Sequence, residues 1–134
     1  SSTSRGLGDV YKRQGEDDNT VPCGAFCCQP PEVLFILKRY YEERPVTTLS
    51  IGYSVDVYCM GVLMYLLCVD KYPHGTCESE YKHIHTLLES ISIGDWQTNT
   101  ILSEYKTLHP MIVRMMERDE RARCSIEDVC AWLR

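Results

Sequence analysis

Apolar side chains fall into blocks with helical spacing, and no convincing strand-like alternation appears anywhere along the chain. "PPEVLFILKRYYEER" starts a short helix, with Pro at the first-turn position, where its missing N–H costs little. The run "VYCMGVLMYLLCV", Val57 to Val69, is apolar all round for 13 residues and reads as a buried core helix reaching to about Cys68. Ser54 is its expected N-cap, and "DKYPHG" breaks it. In "ESEYKHIHTLLESI", Tyr81, Ile84, Leu87, Leu88 and Ile91 share one face of an amphipathic helix. Pro110 stands near the start of another helix with Ile112, Met115 and Met116 on its inner face. Ser125 and Asp128 then form a capping box ahead of Val129, Trp132 and Leu133. Residues 15–30, "PVTTLSIG" and "GDWQTNT" read as loops and connectors. The pattern predicts a mainly α fold of four or five helices.

With 134 residues and 44% hydrophobic content, the chain can fill one domain core. A net charge of -5 argues against a nucleic-acid or anionic-membrane surface. The 13-residue apolar run is also short of the roughly 20 residues that cross a membrane. No charged segment followed by an apolar one stands at the N-terminus, so no secretory signal is visible. The eight cysteines therefore read as thiols in a reducing, intracellular and cytoplasmic setting rather than as disulfides. Zinc is the sharper alternative, through Cys23, Cys27 and Cys28 or through Cys77, His83 and His85. Neither set has the paired C-x2-C spacing of a structural site.

Three stretches carry a more specific signal. "CGAFCCQPPEVL" (Cys23 to Leu34), "YSVDVYCMGVLMYLL" (Tyr53 to Leu67) and "MMERDERARCS" (Met115 to Ser125) follow one another in order. Together they resemble the C-terminal lobe of eukaryotic protein kinases. The first is similar to the end of an activation segment, matching at Cys23, Gly24, Pro31 and Glu32. The second is similar to the lobe's central helix, matching at Ser54, Asp56, Gly61, Val62 and Tyr65, with Tyr58 in a Trp position. The third matches at Met115, Asp119, Arg123 and Ser125, with Glu120 replacing a Pro.

The resemblance implies that residues 15–134 are part of a Ser/Thr kinase domain whose parent moves the γ-phosphoryl group of ATP, with Mg2+, to a protein substrate. It implies a substrate platform at Cys23, Gly24, Ala25, Phe26, Cys27 and Cys28, and an anchor in which Glu32 pairs with Arg123. Arg suits that anchor because its planar fork holds a carboxylate through two hydrogen bonds. Asp56, at the start of the apolar helix, would accept backbone N–H bonds from the catalytic loop; its other reading is an ordinary charge on a solvated face. Thr20 is a phosphosite candidate, with a plain loop threonine as the alternative.

The departures bear on activity. Ala25 stands where active Ser/Thr kinases have Thr, Phe26 and Cys28 replace Pro and Tyr, and Leu66 takes a position where some carry a substrate-reading Glu. The chain between Glu32 and Asp56 is also longer than in the family, implying an inserted loop. A pseudokinase or other non-catalytic interaction module is thus the rival reading, and a zinc-binding helical domain is the third.

"SRGLGDVYKRQ" (Ser4 to Gln14) contains a Gly-x-Gly pair like a nucleotide loop. Only 14 residues separate Gly8 from Cys23, too few for a nucleotide-binding lobe, and the catalytic kinase motifs are missing. One reading frame of a common transposase sequencing adapter encodes this stretch. Residues 1–14 are therefore expected to be a disordered scar, and the chain itself is expected to hold neither ATP nor metal.

Overall fold

A computed structural model describes residues 26–45, 52–75 and 81–134. Residues 1–14, Thr20, Cys23, Gly24, Ala25 and Cys77 lie outside the described residues. The fold is mainly α: among the described residues there are helices α1 (Pro31–Tyr41), α2 (Tyr53–Val69), α3 (Tyr81–Ile93), α4 (Thr100–Glu104), α5 (His109–Met115) and α6 (Ile126–Leu133), and no strand. Two 3-10 turns, Phe26–Cys28 and Asp95–Thr98, precede α1 and α4.

Helix α1 opens at Pro31, and its Val33, Leu34, Ile36 and Leu37 point inward. Helix α2 is the centre of the molecule. Val55 joins Phe26, Val33, Leu34, Ile84 and Leu87 in one cluster between α1 and α3. Tyr58, Val62, Tyr65 and Val69 meet Trp96, Leu102, Ile112 and Met116 in a second. Val57 reaches Met111, Met115, Cys124 and Val129 in a third. A helix with almost no polar face can serve three partners in this way.

Three details depart from the expected pattern, and in a fourth place the expected cap forms. The N-cap of α2 is Gly52, and Ser54 lies inside the first turn. Helix α2 is not buried all round, because Leu63 is 53% and Leu67 84% exposed. The polar-looking "GDWQTNT" is not a plain loop: Trp96 is only 6% exposed, and Asn99 caps α4 by accepting from the Ile101 N–H at 2.9 Å. In α6 the capping box of Ser125 and Asp128 forms, yet of the three apolar residues after it only Val129 is buried. Trp132 lies instead beneath the Arg114 guanidinium, 5.2 Å from its ring centre.

The ends of the helices have local causes. Asp70 closes α2 in the left-handed region at φ 58, which short polar side chains tolerate. Gly94, at φ 70, returns its N–H to Ser90 O and ends α3 where a side chain would be strained. No helix among the described residues is long and apolar enough to cross a membrane.

Gly61 sets the closest approach in the core. A Cβ there would stand 2.7 Å from Met116 Cγ and 2.9 Å from Met115 Cβ. Alanine would gain about 1 kcal/mol of helix propensity, but overpacking against a backbone-fixed Cβ costs about 1–3 kcal/mol. We expect Gly61→Ala to lower stability on balance, by about 1 kcal/mol in urea unfolding. A variant as stable as the parent would mean that α2 and α5 are free to move apart.

Candidate functional site

The site is built around a cation with almost no access to water. Arg123 follows a turn organised by Asp119, whose Oδ1 accepts from the Arg121 N–H at 3.0 Å and whose carbonyl accepts from the N–H groups of Ala122 and Arg123. Such an aspartate turn is a local device of short acidic side chains. It delivers a guanidinium with no exposed side-chain surface to the start of α1.

Four hydrogen bonds receive it there. Nη1 donates to Glu32 Oε1 at 2.7 Å and to Ser54 O at 2.9 Å. Nη2 donates to Glu32 Oε2 at 3.1 Å, and Nε donates to Glu117 O at 2.9 Å. The pairing with Glu32 is the two-pronged form that a planar fork makes with a carboxylate. The Tyr58 ring lies below, 5.0 Å from the guanidinium carbon. Residues 91 positions apart in the chain are thereby held in direct contact.

A second chain of contacts leads away from Tyr58. Its hydroxyl lies 3.5 Å from His74 Nε2, and His74 Nδ1 shares a 2.8 Å hydrogen bond with Ser90 Oγ. Trp96 packs edge-on against both His74 and Tyr65. Burial pushes the Tyr58 phenol up, with Arg123 opposing. Burial pushes the His74 imidazole down to about 4, with Asp95 opposing, so this polar line is uncharged at neutral pH. Ser54 O, Tyr58, His74, Ser90 and Glu117 O were not assigned these contacts from the sequence. Asp119, matched above only to the kinase-like motif, is also the side chain that makes the turn.

Of the other expected site residues, Phe26 and Cys27 are buried, and their side chains face the core rather than a surface groove. Cys28 is half-buried, and its carbonyl accepts from the Cys59 thiol at 3.3 Å. Burial pushes that Cys59 thiol up to about 12, which keeps it protonated and inert. Asp56 is exposed and has no hydrogen bond among the described residues, and partial desolvation raises its carboxyl. Cys27, Cys59, Cys68, Cys124 and Cys130 are free thiols. Among the described residues no three His, Cys, Asp or Glu side chains converge to hold a metal ion. His85 contacts the Tyr81 hydroxyl instead, at 3.1 Å.

Removing one partner of a buried pair strands the other charge at a cost of about 3–5 kcal/mol. Arg123→Ala should therefore unfold at much lower urea than the parent, whereas exposed Arg121→Ala should change stability by less than about 0.5 kcal/mol. Equal effects would remove Arg123 from the centre of the site.

His74 gives a pH signature. An unfolded imidazole titrates near 6.5 and the folded one near 4, so between these values the unfolded chain binds more protons. The stabilisation is complete above about pH 6.5 and falls by about 3 kcal/mol as pH drops toward 4. His74→Gln should lose less stability than the parent between pH 7 and 4.5. Parallel losses would exclude His74 as the titrating group.

No protein-family model matches the chain, and no solved structure matches it. Over 101 residues, 75% of its length, the chain is 30% identical to the serine/threonine-protein kinase par-4 of Caenorhabditis briggsae. It spans 13% of that relative, so the likeness is to a kinase-related region.

Proposed function

We propose that the chain is part of the C-terminal lobe of a serine/threonine protein kinase. Its parent transfers the γ-phosphoryl group of ATP to a protein hydroxyl with Mg2+, chiefly by positioning the reactants and stabilising charge. The observation that carries this reading is the two-pronged Glu32–Arg123 pair, at 2.7 and 3.1 Å. Its members stand at the positions where the kinase-like motifs place an anchor between the substrate-binding segment and the helical base. The identity to par-4 over 101 residues supports the same reading from the sequence side.

On this reading the stretch Cys23 to Cys28 presents the protein substrate through its backbone, and Glu32 fixes the end of that stretch to Arg123. Thr20 lies where an activation-segment phosphosite would be. Nucleotide and metal belong to the parent, since the lysine, aspartate and asparagine that hold them in kinases have no counterpart in these motifs.

The test is to recover the longer reading frame, express it and follow γ-phosphoryl transfer from MgATP to serine- and threonine-containing peptides. Transfer supports the kinase. A longer frame with degenerate His-Arg-Asp and Asp-Phe-Gly motifs and no transfer would replace it with the non-catalytic interaction module suggested by Ala25. Stoichiometric zinc in the purified chain would favour the zinc-binding helical domain.

For the 134-residue chain alone, we expect no rise in melting temperature at millimolar MgATP. A ligand at a hundredfold excess over its Kd would add about 2.7 kcal/mol, which is easily detected. A saturable rise abolished by changing Gly6 and Gly8 would mean that the N-terminal Gly-x-Gly pair binds nucleotide.

A further inference from the structure

We propose that Tyr81 is a phosphoacceptor tyrosine and that Lys38 and Arg44, at the end of α1, are the seat of its phosphate. Tyr81 is the first residue of α3, and its partly exposed side chain reaches across to α1. Its O–H donates to Glu42 Oε1 at 2.7 Å, and its ring packs against Tyr41 with centroids 6.0 Å apart. The same Glu42 carboxylate is held by Arg44 Nε at 3.3 Å and by Lys38 Nζ at 4.0 Å. Glu42 thus holds two cations on its carboxylate beside the Tyr81 oxygen, and His85 Nε2 meets the same oxygen at 3.1 Å and stays in place in both proteins compared below.

The turn that presents Arg44 is ordered by its own hydrogen bonds. The Arg44 N–H donates to Arg39 O at 2.9 Å, Arg39 Nε donates to Pro45 O at 3.0 Å, and Glu43 sits in the left-handed region at φ 55. A phosphoryl oxygen on the Tyr81 phenol would fall almost where Glu42 Oε1 lies now. A phosphate brings about -1.5 to -2 charges and three acceptor oxygens, against one charge for the carboxylate. It would expel Glu42 by like-charge repulsion and take over Arg44 and Lys38. Tyr81 would change from donor to acceptor, and the tie between α1 and α3 would be exchanged rather than lost.

The step needs a tyrosine kinase acting in trans with MgATP. A bond forms between the Tyr81 oxygen and the γ-phosphorus, the bond from that phosphorus to the β,γ-bridging oxygen breaks, and ADP leaves. The phenol proton passes to that enzyme's base. Access is local: Tyr81 is a helix-terminal residue, and terminal turns open at little cost. The preceding Glu78-Ser79-Glu80 makes the acceptor stretch acidic, which suits an enzyme with a basic substrate groove.

The experiment treats the full chain with a broad-specificity tyrosine kinase and MgATP, assigns the product by tandem mass spectrometry, and titrates it by phosphorus NMR. We expect Tyr81 to take phosphate ahead of Tyr53, which is 77% exposed but has no cation pair beside it among the described residues. The phosphate of the parent should titrate about half a pH unit or more below that of a Lys38→Ala/Arg44→Ala variant, because neighbouring cations favour the dianion. Its melting temperature should not fall on phosphorylation, whereas that of the variant should. Phosphate on Tyr53 or Tyr105 with Tyr81 unmodified would overturn the acceptor assignment. Equal titration midpoints, or a fall in the parent's melting temperature, would overturn the seat.

Discussion

A guanidinium removed from water has to be given hydrogen-bond acceptors and a counter-charge, or the chain unfolds around it. Arg123 imposes that demand here, and the fold answers it from three distant places. Glu32 comes from the first turn of α1, Ser54 O from the first turn of α2, and Glu117 O from the turn after α5. Each acceptor fixes one element. Since α2 touches all three apolar clusters, fixing its first turn also sets the register in which Gly61 meets Met115 and Met116. Removing either partner would leave the other charge buried without its counter-charge, which is why the pair constrains both elements at once.

The polar line beyond Tyr58 extends the same constraint. Tyr58 lies under the Arg123 guanidinium and meets His74, which in turn meets Ser90 on α3. The line joins the elements on the two sides of α2 through groups that stay neutral, so it adds direction without adding charge to the interior. The Leu63 and Leu67 face of α2 is unlike this. It is exposed and apolar. On the proposed reading, the anchor is what would hold the substrate-binding stretch at a fixed height above the helical base.

Much of this was legible in the sequence, and the reasons differ by element. Periodicity placed α3 because Ile84, Leu87 and Ile91 repeat on one face. Ser125 and Asp128 announced α6 because the capping box is a purely local interaction. The Glu32–Arg123 contact could be expected only through the kinase-like motifs, since spacing alone says nothing about residues 91 positions apart. Where the reading failed, tertiary packing decided. A serine before an apolar run looks like a cap, but the chain enters α2 two residues earlier at Gly52. Trp96 sits among polar neighbours, yet Tyr65 and His74 make an aromatic slot for it that no local pattern encodes. Leu67 is as apolar as Val62, and only the placement of neighbouring helices leaves one outside and the other within.

The most direct measurement is a double-mutant cycle on the central pair, using Glu32→Gln, Arg123→Met and the combined variant in urea unfolding. Such a cycle isolates the pairwise contribution from the cost of each truncation. A keystone ion pair predicts a coupling of at least about 2 kcal/mol, with the double variant less damaged than the sum of the single ones. Additive losses, with coupling below about 0.5 kcal/mol, would contradict it and leave Glu32 and Arg123 as neighbours without an organising role.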